Sequence, residues 1–148
     1  MLAAFVENGA FRITPDGSLL NNEYSWSTRS NVVYLDIPVN TGFSFSTSSD
    51  VDRDYNDDIT SDETVASIKA FFKIFPDLKK NPFFLASQGY GGHFTPQVAL
   101  KILEDNDHVW RSHFAGIIIG NPMVNFQANM DAQAEAHWGF QLISKRVW

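Results

Sequence analysis

The stretch FFLASQGYGGHFTP, residues 83–96, has the layout of a turn that presents a catalytic serine, yet no serine stands at the presenting position. An apolar run from Phe83 to Ala86 enters a Gly-rich corner, and a helix is expected from Thr95 and Pro96 onward. Strand, sharp turn and helix form the context of the G-x-S-x-G nucleophile elbow, whose strained turn lifts one side chain clear of the sheet. The five matching residues are Ser87, Gln88, Gly89, Tyr90 and Gly91, so the apex is Gly89. Glycine has no side chain to acylate. It adopts left-handed backbone without the steric cost that other residues bear there, which is ~1–3 kcal/mol. The corner keeps a turn and lacks a nucleophile.

Other chemistries find less support. The histidines, at 93, 108, 113 and 137, show no H-E-x-x-H or related spacing, so no metal site is expected. The chain has no cysteine, which excludes an internal disulfide or a thiolate metal site. No cofactor is implied. Eleven basic residues against 17 acidic ones give a net charge of -6, which argues against a nucleic-acid groove and against binding to an anionic membrane. No apolar run approaches the ~20 residues of a membrane span. The N-terminus, MLAAFVE, has no charged leader and is too short to read as a signal peptide.

The elements that must position the corner follow from periodicity. With 148 residues, 44% apolar, the chain is expected to form one domain, residues 1–148. Residues 11–14 read as a short strand before the turn signal Pro15-Asp16-Gly17-Ser18. NVVYLDI, residues 31–37, is β-branched and aromatic and reads as a buried strand stopped by Pro38. Residues 40–58 are polar and read as a surface loop. A helix is expected from Thr60, with Thr60 and Glu63 as a capping box. Ile68, Phe71, Phe72 and Phe75 would line its buried face, and Pro76 would end the pattern. A second helix would bury Val98, Ala99, Ile102 and Leu103, and residues 104–108 would end it. Residues 115–120, AGIIIG, give a third strand, and residues 130–138 suggest a further helix. Three buried strands joined by two helical crossovers make an α/β protein with a short parallel sheet flanked by helices. Its outer strands would be open edges, which a partner segment is expected to cover.

Four blocks carry a resemblance to the serine carboxypeptidases. ENGAFRI, residues 7–13, resembles the family's E-N-G-P-F-R-I. NNEYSWSTRSNVVYLDIPVNTGFSFS, residues 21–46, is similar to its N-x-Y-S-W-N and N-V-L-Y-L-D-Q-P-V-G-T-G-F-S-Y-S. FFKIFPDLKKNPFFLASQGYGGHFTPQVA, residues 71–99, tracks its F-F-x-x-F-P and G-E-S-Y-G-G-H-Y-x-P, and AGIIIGNPMVN, residues 115–125, resembles the strand after the elbow helix. The blocks keep the family's order and spacing.

The resemblance implies a partial α/β-hydrolase fold, the central third of an enzyme that removes C-terminal residues from peptides. It implies a secreted or vacuolar/lysosomal location. It places Gly89 at the nucleophile, and it leaves the family's W-L-N-G-G-P-G segment and its catalytic Asp and His outside this chain. Ser87 falls at the family's first elbow glycine, at the strand's end and not at the apex. Gln88 replaces a glutamate that, protonated, binds the peptide's α-carboxylate; glutamine is a permanent donor with no proton requirement. Glu7 matches an acid that accompanies it, or else is a polar loop residue. The Tyr90 backbone N–H falls at the family's second oxyanion donor and does not depend on side-chain identity. His93 belongs to the elbow helix and is not the triad histidine. Asp36 reads as a loop anchor, Asn40 as the stand-in for a positive-φ glycine, and Trp26 and Phe43 as core or cleft aromatics. Three functions follow: an inactive carboxypeptidase-like protein, a binding module for peptide or protein C-termini, or part of an otherwise active hydrolase.

Overall fold

The computed structural model describes residues 3–47 and 55–146, with Val109 described by its backbone alone. The chain gathers into two compact units, Met1–Arg53 and Asp54–Trp148.

In the first unit the strand expected at residues 11–14 is one arm of a hairpin. β1 (Phe11–Ile13) pairs antiparallel with β2 (Leu19–Asn21), with Arg12 opposite Leu20. The loop closes through Thr14 N–H to Ser18 O and Gly17 N–H to Thr14 O, both 2.9 Å, with Gly17 at φ 83. Hydroxyls of Thr14 and Ser18 donate to the Asp16 carboxylate and hold it below its usual range. Buried Asn22 ties the hairpin to the preceding turn, donating from Nδ2 to Gly9 O at 2.9 Å.

Residues 31–37 do not form the buried strand that their composition suggests. They carry no ladder, and Val33 and Leu35 are exposed at 47 and 37%. A strand exists only where a neighbour accepts its hydrogen bonds, and no described segment of this unit pairs with NVVYLDI. The loop after it is held as expected. Asp36 Oδ2 accepts from Phe43 N–H at 3.0 Å, Asp36 O accepts from Ser44 Oγ at 2.6 Å, and Asn40 takes φ 68. Trp26 and Phe43 are exposed, at 45 and 78%, and are not core residues.

The second unit contains the parallel pairing. β3 (Phe83–Gln88) runs parallel to β4 (Phe114–Gly120), with Leu85 opposite Ile117 and Gln88 opposite Gly120. Two strands, not three, make the parallel sheet among the described residues. Phe84 and Ile118 stay exposed on one face, at 56 and 50%. The β-α-β order with its flanking helices is the expected α/β class.

The helix before the sheet starts earlier than its sequence suggests. α1 spans Asp57–Ile74 and is capped by Asn56, whose side chain accepts from Ile59 N–H at 3.0 Å. The Thr60–Glu63 capping box does not form, because Thr60 is already inside the helix and donates from Oγ1 to Asn56 O. The buried face is Thr60, Ser61, Thr64 and Ile68, a stripe at helical spacing. Ser61 and Thr64 return their hydroxyls to the carbonyls four residues back, at 2.6 Å each, so these polar side chains are buried without loss of hydrogen bonds. Phe71 and Phe72 are half-buried, and Phe75 at the helix end is exposed at 49%.

α2 (Gly91–Leu103) packs on α1 and on both strands. It begins four residues before the Thr95 start expected from sequence, and Pro96 lies inside it. Val98 and Ile102 are buried as expected, whereas Leu103 is exposed at 53%. α3 (His108–Ser112) delivers Trp110, 2% exposed, to the core formed with Ile68, Val98 and Ile102. Phe83 stacks on the Trp110 ring at 5.8 Å and meets Phe72 and Phe114 at 5.3 Å each. α4 (Phe126–Gly139) follows, capped by Asn125 and longer than the helix expected at residues 130–138.

A charged pair closes one side of the core. Lys69 on α1 bonds Asp105 and holds its ammonium 5.3 Å from the centre of the Trp110 ring. Lys69, then the Asp107 backbone N–H at 2.8 Å, hold the Asp105 carboxyl down to about 2. A carboxyl lowered from 3.8 on folding stabilises the native state above that pH and loses the contribution as pH falls toward 2. Asp105→Asn is therefore expected to lower the urea midpoint at neutral pH, with the gap to the parent closing as pH falls through this window. A gap that stays constant down to the acid limit would show that the pair does not stabilise the fold.

Candidate elbow site

The site begins where β3 stops. Gln88 ends the ladder, Gly89 reverses the chain at φ 60, and Tyr90, at φ -61 and ψ -20, is the N-cap position of α2. The apex peptide is held on both sides. Gly89 N–H donates to Gly120 O at 3.0 Å, and Gly89 O accepts from Met123 N–H at 2.8 Å and from Gly92 N–H at 3.0 Å. The exit of β4 thus clamps the turn, and the helix starts without a linker.

This geometry requires glycine at two places for different reasons. At Gly89 a Cβ would meet nothing within 4 Å, so space is open and only the left-handed backbone disfavours a side chain. At Gly92 a Cβ would lie 2.7 Å from Met123 O and 2.8 Å from Pro122 Cβ. There the β4 exit approaches α2 so closely that no side chain fits.

Ser87 points away from the apex. Its Oγ accepts from Thr95 Oγ1 at 2.8 Å, and its side chain fills the space above Gly91, where a Cβ would stand 2.4 Å from Ser87 Cβ. The hydroxyl is thus a packing group between β3 and α2. The His93 ring packs against Tyr90 at a tilt of 43°, ring centres 4.9 Å apart, within the first turn of α2.

Two donors remain unengaged at the corner. Among the described residues nothing accepts the Tyr90 backbone N–H. The Gln88 side chain is exposed and makes no hydrogen bond with them, its stem lying 3.9 Å from the Cβ position of Gly120. Glu7 is exposed at the end of the turn Ala3–Glu7 in the first unit, while Gln88 belongs to the second. Among the described residues no group of three or more His, Asp or Glu could hold a metal ion. Sequence reasoning missed two contacts of the corner: the Met123 N–H clamp and the Asp57 carboxylate that receives the Tyr90 hydroxyl. The Asn121-Pro122 turn signal after β4 was the available sign of the first.

The two glycines are expected to respond differently to substitution. Gly89→Ser should cost ~1–3 kcal/mol through backbone strain alone. Gly92→Ala would gain up to ~1 kcal/mol from helix propensity if the site were open. The clash with Met123 and Pro122 should reverse that sign and cost ~1–3 kcal/mol. Urea denaturation of both variants checks this, and a stabilised Gly92→Ala would contradict the close approach of the β4 exit.

The sequence profile of the serine carboxypeptidase family matches residues 1–148. Serine carboxypeptidase-like 45 of Arabidopsis thaliana is 36% identical over 148 residues, covering 99% of this chain and 32% of its own length. Pheromone-processing carboxypeptidase KEX1 of Zygosaccharomyces rouxii is 35% identical over 146 residues, 96% of this chain and 21% of its own. The crystal structure of KEX1(delta)p, a prohormone-processing carboxypeptidase from Saccharomyces cerevisiae, superposes with a TM-score of 0.85 at 25% identity. It covers 98% of this chain and 32% of that one. The chain thus spans about a third of the length of the first of these relatives and of the solved structure. With the profile matched from end to end, the chain belongs to the serine carboxypeptidase family.

Proposed function

We propose that this chain is a serine carboxypeptidase-like protein that keeps the family's elbow without its covalent chemistry. The family reaction is hydrolytic release of C-terminal residues from peptides, and its acyl intermediate needs an oxygen at the apex. The observation that carries the reading is Gly89 at φ 60 in a clamped turn: shape retained, nucleophile absent. Ser87 does not substitute, since Thr95 and Gly91 hold it on the inner side of the turn. The tests are release of the C-terminal residue from a blocked dipeptide and labelling by a fluorophosphonate. Neither should rise above background. Turnover, or a label on Ser87, would sink the proposal.

A second reading rests on the two unengaged donors. Gln88 and the Tyr90 N–H would receive the carboxylate of a peptide or protein C-terminus. A carboxylate accepting amide hydrogen bonds is the matching chemistry. Calorimetry with a free-acid peptide and its amide distinguishes this reading: the acid alone should bind. Gln88→Glu should make binding strengthen as pH falls, because a glutamate must be protonated before it can donate. Equal binding of acid and amide, or none, would dismiss it. By family membership we also propose a secreted or vacuolar/lysosomal location, which imaging and fractionation of the tagged protein check.

A further inference from the structure

Tyr90 makes a contact that the elbow reading does not use. Its hydroxyl donates to the Asp57 carboxylate, 3.2 Å from Oδ1 and 3.2 Å from Oδ2. Asp57 is the first residue of α1 and Tyr90 sits at the N-cap of α2, so one hydrogen bond joins the starts of the two helices that pack together in this unit. The hydroxyl is shared evenly between the two carboxylate oxygens, at a distance long for an O–H···O bond.

Burial does not fix the Tyr90 ring, because it is 57% exposed. Two groups contact it instead: His93 on α2, its ring tilted against Tyr90 with centres 4.9 Å apart, and Asp57, reaching the hydroxyl from α1. Of these only Asp57 lies outside the elbow's own helix. We infer that Asp57 is a positioning residue for the elbow: its carboxylate holds the Tyr90 phenol and so orders the residue that follows the apex, including its unengaged backbone N–H. This rests on Gly89 being the apex, since Tyr90 matters to a ligand only as the next residue. It extends the site to the start of α1.

The phenol's ionisation provides a readout. Its pKa is raised from 10.0 chiefly by the Asp57 charge, with burial and the hydrogen bond adding in the same direction. Among the described residues, Asp57 on α1 and His93 on α2 are the titratable groups in contact with the ring.

The experiment is an NMR titration of the full chain carrying isotope-labelled tyrosine. Tyr90→Phe identifies the Tyr90 resonance among those of Tyr24, Tyr34 and Tyr55. Asp57→Asn should lower the Tyr90 pKa toward about 10, the ordinary tyrosine value, and reduce the backbone order parameters of residues 89–91. Asp58→Asn, one residue on and facing Lys101 at 3.9 Å, should change neither. A Tyr90 pKa unchanged in Asp57→Asn would overturn the inference, as would order parameters indistinguishable from Asp58→Asn. If Asp57→Asn does not fold, Tyr90→Phe keeps the ring and removes the bond, and undiminished order at residues 89–91 would overturn it equally. No peptide is used, so the outcome is independent of whether the elbow binds a carboxylate.

Discussion

The conformation of one peptide, that of Gly89, constrains the rest of the second unit. It must end a parallel ladder, reverse the chain and begin a helix within three residues. Its N–H is committed to Gly120 and its carbonyl to Met123 and Gly92, so neither β4 nor α2 can shift without breaking a bond at the apex. Buried backbone groups left unpaired are costly, and this arrangement pairs both at the tightest point of the turn. The missing side chain at Gly92 follows from the same clamp, because the β4 exit needs the space that a Cβ would occupy. Ser87 and Gly91 form a second complementary pair. A side chain on the strand is accommodated because the helix opposite carries none.

Behind the corner, packing depends on small polar residues as much as on apolar ones. Thr60, Ser61 and Thr64 are buried, and two of them satisfy their hydroxyls within α1, so the helix can face α2 with short side chains. The large residues gather at the other end. There Phe72, Phe114 and Trp110 surround Phe83, and Lys69 with Asp105 borders the cluster. The elbow is thus held by close backbone approach on one side and supported on the other by an aromatic core that it does not touch chemically.

What the sequence disclosed follows the range of each signal. The elbow was legible because its residues are contiguous: an apolar run, a glycine at the apex and a helix within a dozen positions. The helix start was misplaced because Gly91 and Gly92 read as turn residues and Pro96 as a first-turn proline, whereas packing against β4 favours glycine inside the helix. The start of α1 was misplaced for a related reason. Asn56 outranks Thr60 as a cap only once Asp57 and Asp58 are seen to be helical. NVVYLDI has strand composition, but composition cannot supply a neighbouring strand. Trp110 was overlooked because a five-residue helix leaves no periodic signature. The Asp57–Tyr90 bond joins residues 33 apart in sequence, beyond any local pattern.

The elbow also shows that its shape and its chemistry are separable. In a nucleophile elbow the apex side chain is held in a backbone conformation that opposes it, and the strain is maintained by the surroundings. Here the surroundings that hold the turn are the clamp from Gly120 and Met123 and the close approach at Gly92. The apex itself is glycine, the residue that adopts this backbone with least strain. Replacing the apex therefore removes a stability cost and leaves the scaffold without a reason to rearrange. The donors that remain, the Tyr90 N–H and the Gln88 amide, keep their places because strand and helix place them, independently of the apex side chain. The geometry of this corner is therefore set by its strand, helix and clamp and not by a side chain at the apex.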